Sequence, residues 1–214
     1  MRNREEILNN ICNDTIDGEE IIGLIEEALT FGLEARDILF EALTPALEEV
    51  GRLFEDEKLF VPEMVMAANS MSRGMDLLRP LIAASGVKPT GRFVMGTVFG
   101  DTHDIGKNLC NVMLEGAGFE VIDLGVNVSP EKFITAILEH KPNAVGISAF
   151  LTTTMPMLEN TIGSIAEADL RDGVIILVGG APVTPEYAAQ TGANGYAPDA
   201  PSCVRVTKEL LGLK

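Results

Sequence analysis

A chain of 214 residues with a net charge of −16 is long enough for one large domain or two small ones. This charge disfavours nucleic acid as a partner, because phosphate contacts require clustered Lys and Arg. No apolar run reaches the roughly 18 residues of a membrane span, and the N-terminus lacks the apolar core of a signal peptide, so we expect a cytoplasmic protein without membrane contact. The cysteines are odd in number and far apart, which argues against a disulfide framework or a zinc site: Cys12, Cys110 and Cys203.

The first part of the chain, to about residue 85, has the apolar spacing of helices and no strand pattern. The predicted helices cover residues around 7–11, 21–29, 35–54 and 61–80. Asp17, with Glu20 three residues later, is typical of a capping start for the second helix. Pro80 should kink the fourth helix or end it. The pattern predicts a small four-helix bundle over residues 1–88.

Residues 85–91 have the composition of a linker, and strand and helix patterns alternate after them. Strands are predicted at 92–98, 119–123, 144–148, 174–178 and 194–197. Helices are predicted at 105–117, 130–140, 156–168, 185–191 and 199–211. This alternation predicts an α/β domain over residues 89–214, with a parallel sheet covered by helices on both faces. Five strands favour the flavodoxin-like order.

A histidine lies on the predicted loop between the first strand and its helix. His103 stands in the stretch Gly100-Asp101-Thr102-His103-Asp104-Ile105-Gly106-Lys107. In an open α/β sheet, ligands bind at the carboxyl ends of the strands. Asp101, two residues away, can hold the imidazole by one ring nitrogen and leave the other for a metal. Considered alone, this loop is more typical of a hydrogen-bonded surface histidine than of a metal ligand.

The spacing of three further elements sharpens this interpretation. After the D-x-H-x-x-G run from Asp101 to Gly106, 41 residues precede Ser148, and 28 residues separate Phe150 from the Gly179-Gly180 pair. The pattern resembles the fingerprint of corrinoid (vitamin B12) proteins, which have D-x-H-x-x-G, then S-x-L, then G-G at similar distances. This chain departs from the fingerprint at one position, where Phe150 stands in place of the family's Leu and Leu151 follows it.

The resemblance implies how a corrinoid would be held. The dimethylbenzimidazole base of the cofactor leaves cobalt, and His103 replaces it as the lower axial ligand. Asp101 accepts a hydrogen bond from the other ring nitrogen, and Thr154 completes the ligand triad. Ser148 contacts the buried nucleotide tail, and the glycine pair leaves room for the base. The remaining candidate cofactor contacts in this domain are Thr102, Asp104, Ile105, Gly106, Phe150, Leu151, Thr152, Gly179, Gly180 and Tyr196.

Two of these features also have plain structural interpretations. A Gly-Gly pair after a strand is typical of a turn. The three threonines before Pro156 are equally typical of a helix N-terminus, and both roles are compatible.

The helical part carries a second resemblance. Residues 51–54 and 59–63 are similar to the cap of methyltransferase corrinoid proteins, in which a bundle covers the upper face of cobalt. The alternative is core packing, which is the usual role of a methionine stripe. The expected covering face consists of Phe60, Met64, Ala67 and Met71.

Together the resemblances imply a corrinoid methyl carrier of a multicomponent methyltransferase system. One methyltransferase would load the methyl group from a one-carbon donor, such as a methylamine, methanol, a betaine or an aromatic methyl ether. A second would pass it to tetrahydrofolate or a thiol, and a reductive activator would restore the cofactor. We expect no turnover by the chain alone. The alternatives are a B12-dependent sensor and the cobalamin-binding subunit of an adenosylcobalamin mutase.

Overall fold

The structure, a computed structural model, describes residues 3–17, 20–86 and 88–213. At residues 16 and 17 it describes the backbone alone. The chain divides into two units. The first contains the residues up to Pro89 together with Glu115–Gly118, and the second contains Thr90–Leu114 and the chain from Phe119 onward. No helix in the described part of the chain is both long and apolar enough to cross a bilayer.

Helices alone make up the regular structure described in residues 3–86. They are α1 (Arg4–Asp17), α2 (Ile21–Phe31), α3 (Ala35–Ile38), α4 (Thr44–Glu55) and α5 (Val61–Ala84). A π-helical segment, Leu39–Leu43, joins α3 to α4, so the helix predicted over 35–54 is one helical path with a wider turn inside it. Pro45 lies next to this segment and lacks the N–H that an α-helical turn would need there.

One predicted detail of the helical unit is wrong. Asp17 is the last residue of α1 rather than the N-cap of α2, which is Glu20 and has no side-chain capping bond. The backbone N–H of Glu20 instead donates to the Asp14 carboxylate. The intervening Gly18 and Glu19 lie outside the described residues. Of the two outcomes predicted for Pro80, the helix end does not occur, since α5 continues to Ala84, and a kink at Pro80 stays a prediction. One proline removes only one bond of the helical ladder.

The second unit is a five-stranded parallel sheet with the strand order β2-β1-β3-β4-β5, which confirms the flavodoxin-like prediction. The strands are β1 (Arg92–Thr97), β2 (Glu120–Asp123), β3 (Ala144–Ser148), β4 (Ile175–Gly179) and β5 (Gly195–Ala197). The helices are α6 (Ile105–Gly116), α7 (Pro130–His140), α8 (Pro156–Glu167), α9 (Pro185–Gln190) and α10 (Ala200–Leu210), and a 3₁₀ turn covers Arg171–Gly173. The central strands are continuous apolar runs because helices bury both faces.

The register of the strands aligns the carboxyl ends of four of them. Thr97 of β1 pairs with Ser148 of β3, Ser148 pairs with Gly179 of β4, and Gly179 pairs with Ala197 of β5. From β1 the chain continues to β2 on one side of the sheet, and the later strands are added on the other side, beginning with β3. Ligands bind in such sheets at this switch point between β1 and β3. The residues that follow Thr97 and Ser148 therefore emerge side by side at this edge.

Candidate functional site

The loop after β1 is tied to the loop after β2 by two hydrogen bonds. Gly100 has a φ of +83°, a conformation that glycine adopts without strain, and its N–H donates to Asn127 Oδ1 at 2.7 Å. The Asn127 N–H donates to the Asp101 carbonyl at 2.9 Å. A third bond runs from Thr97 Oγ1 to the His103 carbonyl at 3.0 Å. The backbone on both sides of Asp101 and His103 is thus held by neighbouring elements.

Asp101 is fully buried, and its carboxylate accepts hydrogen bonds from two segments of the chain, its own loop and the loop after β3. Oδ2 accepts from Thr154 Oγ1 at 2.7 Å and from the N–H groups of Phe150 and Leu151 at 2.7 and 3.2 Å. Oδ1 accepts from the backbone N–H of His103 at 3.1 Å and contacts its Nδ1 at 2.8 Å. Burial alone would raise the pKa of Asp101, but these donors hold that pKa well below its usual range. Asp101 is therefore ionised.

His103 presents one ring nitrogen for coordination. Because the Asp101 carboxylate only accepts, Nδ1 carries the proton of the neutral imidazole, and the lone pair lies on Nε2. The side chain is 46% exposed, and Nε2 has no hydrogen-bond partner among the described residues. The arrangement is that of a metal-binding imidazole oriented by a carboxylate.

The ring of Phe150 stacks on the ring of His103. The centroids are 4.3 Å apart, and the planes are inclined by 24°. Phe150 directly follows β3 and Ala149, at the position where the corrinoid fingerprint has Leu. The same residue therefore contacts His103 through its ring and Asp101 through its backbone N–H.

Five large apolar side chains are exposed on the loops, and at the helix start, that follow the carboxyl ends of the strands beside this histidine. Thr102, Asp104 and Gly106 are exposed as well, which leaves the loop and the start of α6 open to a ligand. Monomeric proteins rarely expose clustered large apolar side chains without a binding role. The five exposed apolar side chains are those of Phe99, Ile105, Val126, Phe150 and Leu151.

The glycine pair lies where two backbones come close. A Cβ at Gly179 would be 2.5 Å from the Ala197 carbonyl oxygen, and one at Gly180, whose φ is +128°, would collide with the Ala149 carbonyl oxygen. The structure thus gives this pair a packing reason, while its role toward a nucleotide tail stays a prediction. Ser148 is half-buried between β1 and β4, and Thr152 is exposed in the turn before α8.

Tyr196 lies on β5, near the same edge. It is half-buried, and its hydroxyl donates to the Val183 carbonyl at 3.0 Å. Burial raises the pKa of Tyr196, with Asp199 and Glu186 acting in the same direction.

The four candidates in the helical unit differ in exposure. Phe60 precedes α5 and is 64% exposed, and its backbone N–H donates to Glu63 Oε2 at 3.0 Å. Met64 is only 3% exposed, and Ala67 and Met71 are fully buried. Phe60 is therefore the accessible member of the expected covering face, whose role toward a cofactor stays a prediction.

Sequence reasoning missed Asn127 and Thr97, which hold the histidine loop. The signal for Asn127 was its place in Gly125-Val126-Asn127-Val128, since Asn is favoured at the positive φ of 53° that it adopts. Thr97 gave no signal, because a buried strand threonine is common. Lys107 was also missed: it is buried, and its Nζ contacts Asp123 Oδ2 and Asn108 Oδ1, each at 2.6 Å.

The site offers a metal a single protein ligand. The described residues contain no group of three or more His, Cys, Asp or Glu side chains that could hold a metal ion. A metal bound by protein alone needs about four ligands, so one imidazole suits a metal that brings its own equatorial donors. A corrinoid is such a group, and the exposed apolar surface suits its macrocycle.

Comparisons with known proteins point to the same chemistry. Residues 91–203 match the family described as the B12 binding domain, and residues 14–79 match a second family with that description. Dimethylamine corrinoid protein 2 of Methanosarcina acetivorans is 37% identical over 214 residues, which cover 99% of this chain and 99% of that protein. The dimethylamine corrinoid protein of Methanosarcina barkeri is 40% identical over 212 residues, which cover 97% of this chain and 99% of that protein.

A solved structure extends the likeness to the fold. The methanol:cobalamin methyltransferase complex MtaBC of Methanosarcina barkeri contains a chain that superposes with a TM-score of 0.83 at 26% identity. The superposition covers 98% of this chain and 81% of that one.

Proposed function

The chain belongs to the corrinoid proteins with a B12 binding domain, and on this premise we propose that it is a methyl carrier of a methyltransferase system. The observation that carries the proposal is the half-exposed His103, whose Nδ1 is held by a buried carboxylate while Nε2 lies free beside exposed apolar side chains. The relatives named as dimethylamine corrinoid proteins favour a methylamine as the methyl donor.

His103 is the residue that would bind the metal. Its Nε2 would serve as the lower axial ligand of a corrinoid in the base-off form, and the bound cobalt would supply the chemistry of accepting and releasing a methyl group. Asp101 keeps the imidazole in the required tautomer and supports any positive charge that develops on it. Thr154 in turn donates to Asp101, which completes a chain of three side chains.

The nucleotide tail has candidate contacts at the same edge of the sheet. Ser148 would meet the tail, and the missing side chains of Gly179 and Gly180 would leave room for its base. Tyr196 would line the same region from β5. The alignment of Ser148 with Gly179 in the sheet supports a shared role for these residues.

Isotope labelling tests whether the protein supplies the axial nitrogen. We expect the Co(II) form of the protein, reconstituted with cobalamin at natural abundance, to show a threefold nitrogen splitting in its electron paramagnetic resonance spectrum. Uniform ¹⁵N labelling of the protein alone should change each triplet to a doublet, because the nuclear spin falls from 1 to 1/2. Triplets that persist in the labelled protein would come from the cofactor's own base and would contradict the proposal.

The helical unit would act as the cap that protects the methyl group. The match of residues 14–79 to a B12 binding domain family and the exposure of Phe60 support this role. We expect Phe60→Ala to make the light-driven loss of the methyl group severalfold faster, as followed by absorbance in the methyl-loaded protein. Phe31→Ala, at another exposed phenylalanine, serves as the matched control and should leave the rate unchanged. Equal rates for both variants would contradict a protective role of Phe60.

The partners follow from the role of a carrier. A substrate-specific methyltransferase would load the methyl group, an acceptor methyltransferase would pass it to tetrahydrofolate or a thiol, and a reductive activator would restore the cofactor. The likeness to the MtaBC complex supports the first of these. The sensor and the mutase subunit are the weaker candidates, since the relatives compared above are methylamine corrinoid proteins. A methyl form of the cofactor, rather than an adenosyl form, should copurify with the chain.

A further inference from the structure

The stacked pair of Phe150 and His103 is particular to this chain's departure from the corrinoid fingerprint. A leucine at position 150 could still donate its backbone N–H to Asp101, because any residue supplies that group. Only an aromatic ring can also place a flat face against the imidazole at a centroid distance of 4.3 Å. The substitution of Phe for Leu therefore adds a contact to the metal-binding side chain and keeps the contact to its carboxylate partner.

We propose that Phe150 is a positioning residue that fixes the plane of the His103 imidazole and thereby strengthens its bond to corrinoid cobalt. This inference rests on the proposed function. The hydrogen bond from Nδ1 to Asp101 fixes one point of the imidazole ring and leaves the ring free to tilt about that point. Contact with the face of Phe150 removes this freedom, and the Nε2 lone pair then has one direction.

The backbone that carries the Phe150 ring is itself held in place. Its backbone N–H is anchored on the buried Asp101 carboxylate at 2.7 Å, and Ala149, the residue before it, is fully buried and hydrogen-bonded to Gly179. The phenyl group is 47% exposed, so the stack lies at the open surface of the site. A ligand preorganised in this way loses less conformational freedom on binding the metal.

The expected effect is a change in the cobalt reduction potential. The axial bond stabilises Co(II) relative to Co(I), which has no axial ligand, and a stronger bond makes the potential more negative. Loss of an aromatic pair should weaken ligation by about threefold to tenfold. For a one-electron couple, that factor corresponds to a shift of about 30 to 60 mV toward less negative potential.

Three variants distinguish the effect of ring stacking on His103 from the effect of side-chain size. Phe150→Leu restores the fingerprint residue and removes the ring, Phe150→Tyr keeps the ring, and Phe31→Leu makes the same substitution at a phenylalanine that is 52% exposed in the helical unit. We expect the Co(II)/Co(I) potential to shift in Phe150→Leu alone. An unchanged potential in Phe150→Leu, or equal shifts in the leucine and tyrosine variants, would overturn the inference.

Proton resonances of the cofactor-free protein test the stack without the metal. The chain has only two histidines, so the His103 ring protons are readily assigned. They should be shifted upfield by the ring current of residue 150 in the wild type and in Phe150→Tyr, and this shift should vanish in Phe150→Leu. Identical His103 resonances in all variants would also overturn the inference. If the wild-type Co(II) spectrum instead lacks a protein nitrogen, the proposed ligation itself has failed, whatever the ring currents show.

Discussion

Replacing His103 by Ala should abolish the protein-derived nitrogen splitting in the Co(II) spectrum while leaving the fold intact. The side chain is half exposed and lies on a loop whose backbone is held independently by Thr97 and Asn127. Truncation removes one side-chain hydrogen bond and the stack on Phe150, and it leaves Asp101 with its backbone donors. The cost in the free energy of unfolding should therefore be about 1 kcal/mol. Cobalt would lose its only protein ligand.

The second histidine provides the control for this experiment. His140 lies at the end of α7, where its side chain is 40% exposed and at 4.0 Å from Glu139. His140→Ala should keep the full splitting and the wild-type corrinoid affinity. Splitting that survives in His103→Ala would show that another nitrogen occupies the axial position.

Asp101→Asn should destabilise the α/β unit by about 2 to 3 kcal/mol. All five hydrogen-bond partners of the Asp101 carboxylate act as donors, and the amide replaces one of the two acceptor oxygens by a further donor. In either orientation of the amide, at least one backbone N–H at this fully buried side chain loses its acceptor, which costs about 1 to 3 kcal/mol for each group. With the NH₂ group toward His103, the imidazole would accept at Nδ1 and protonate Nε2, which removes the lone pair needed by the metal.

Tyrosine fluorescence can measure this loss in the α/β unit alone. The chain has no Trp, and both of its tyrosines, Tyr187 and Tyr196, lie in that unit. In urea titrations at pH 7, Asp101→Asn should unfold at clearly lower denaturant than the wild type. Asp104→Asn makes the same change at an exposed position of the same loop. It should alter the free energy of unfolding by no more than about 0.5 kcal/mol.

The difference in the free energy of unfolding between the wild type and Asp101→Asn should become smaller at low pH. Because the folded-state pKa of Asp101 lies below its ordinary value of 3.8, the carboxylate contributes its full stabilisation above that value. The contribution is lost as pH falls from there toward the folded-state pKa. The gap between wild type and variant should thus be constant from about pH 7 to pH 5 and narrow below pH 3.8. A gap that widens on acidification would contradict an ionised Asp101.

The sheet and the histidine loop could be predicted because their signals are local and periodic. The apolar runs of β1, β3 and β4 and the loop from Asp101 to Gly106 define the ligand edge, and the strand order follows from the five alternating units. The place of Thr154 in a triad was implied by the family resemblance, and its hydroxyl donates to Asp101 in the structure. These features depend on chain topology, which hydrophobic patterns encode well.

The features that escaped prediction depend on competition between similar local structures. Asp17 has the residue type and spacing of an N-cap for α2, but α1 extends to Asp17 and the N-cap is Glu20. Pro80 is tolerated because α5 is long enough to lose one bond and continue. The contact of Asn127 with Gly100 joins residues 27 positions apart, and single-residue propensity carries no information about such pairs.

The bonds of Asp101 to Phe150 and Thr154 join residues that are 49 and 53 positions apart in the chain. Such contacts carry a large loop-closure entropy, and they form only after β3 has added to β1 across the intervening β2 segment. The histidine loop therefore has its full set of contacts only where β1 and β3 are paired. A ligand that needs this loop selects chains whose α/β unit is already complete, and it stabilises the whole unit by mass action. Binding of a corrinoid to this loop would therefore also favour the complete α/β unit over chains in which β3 has not paired with β1.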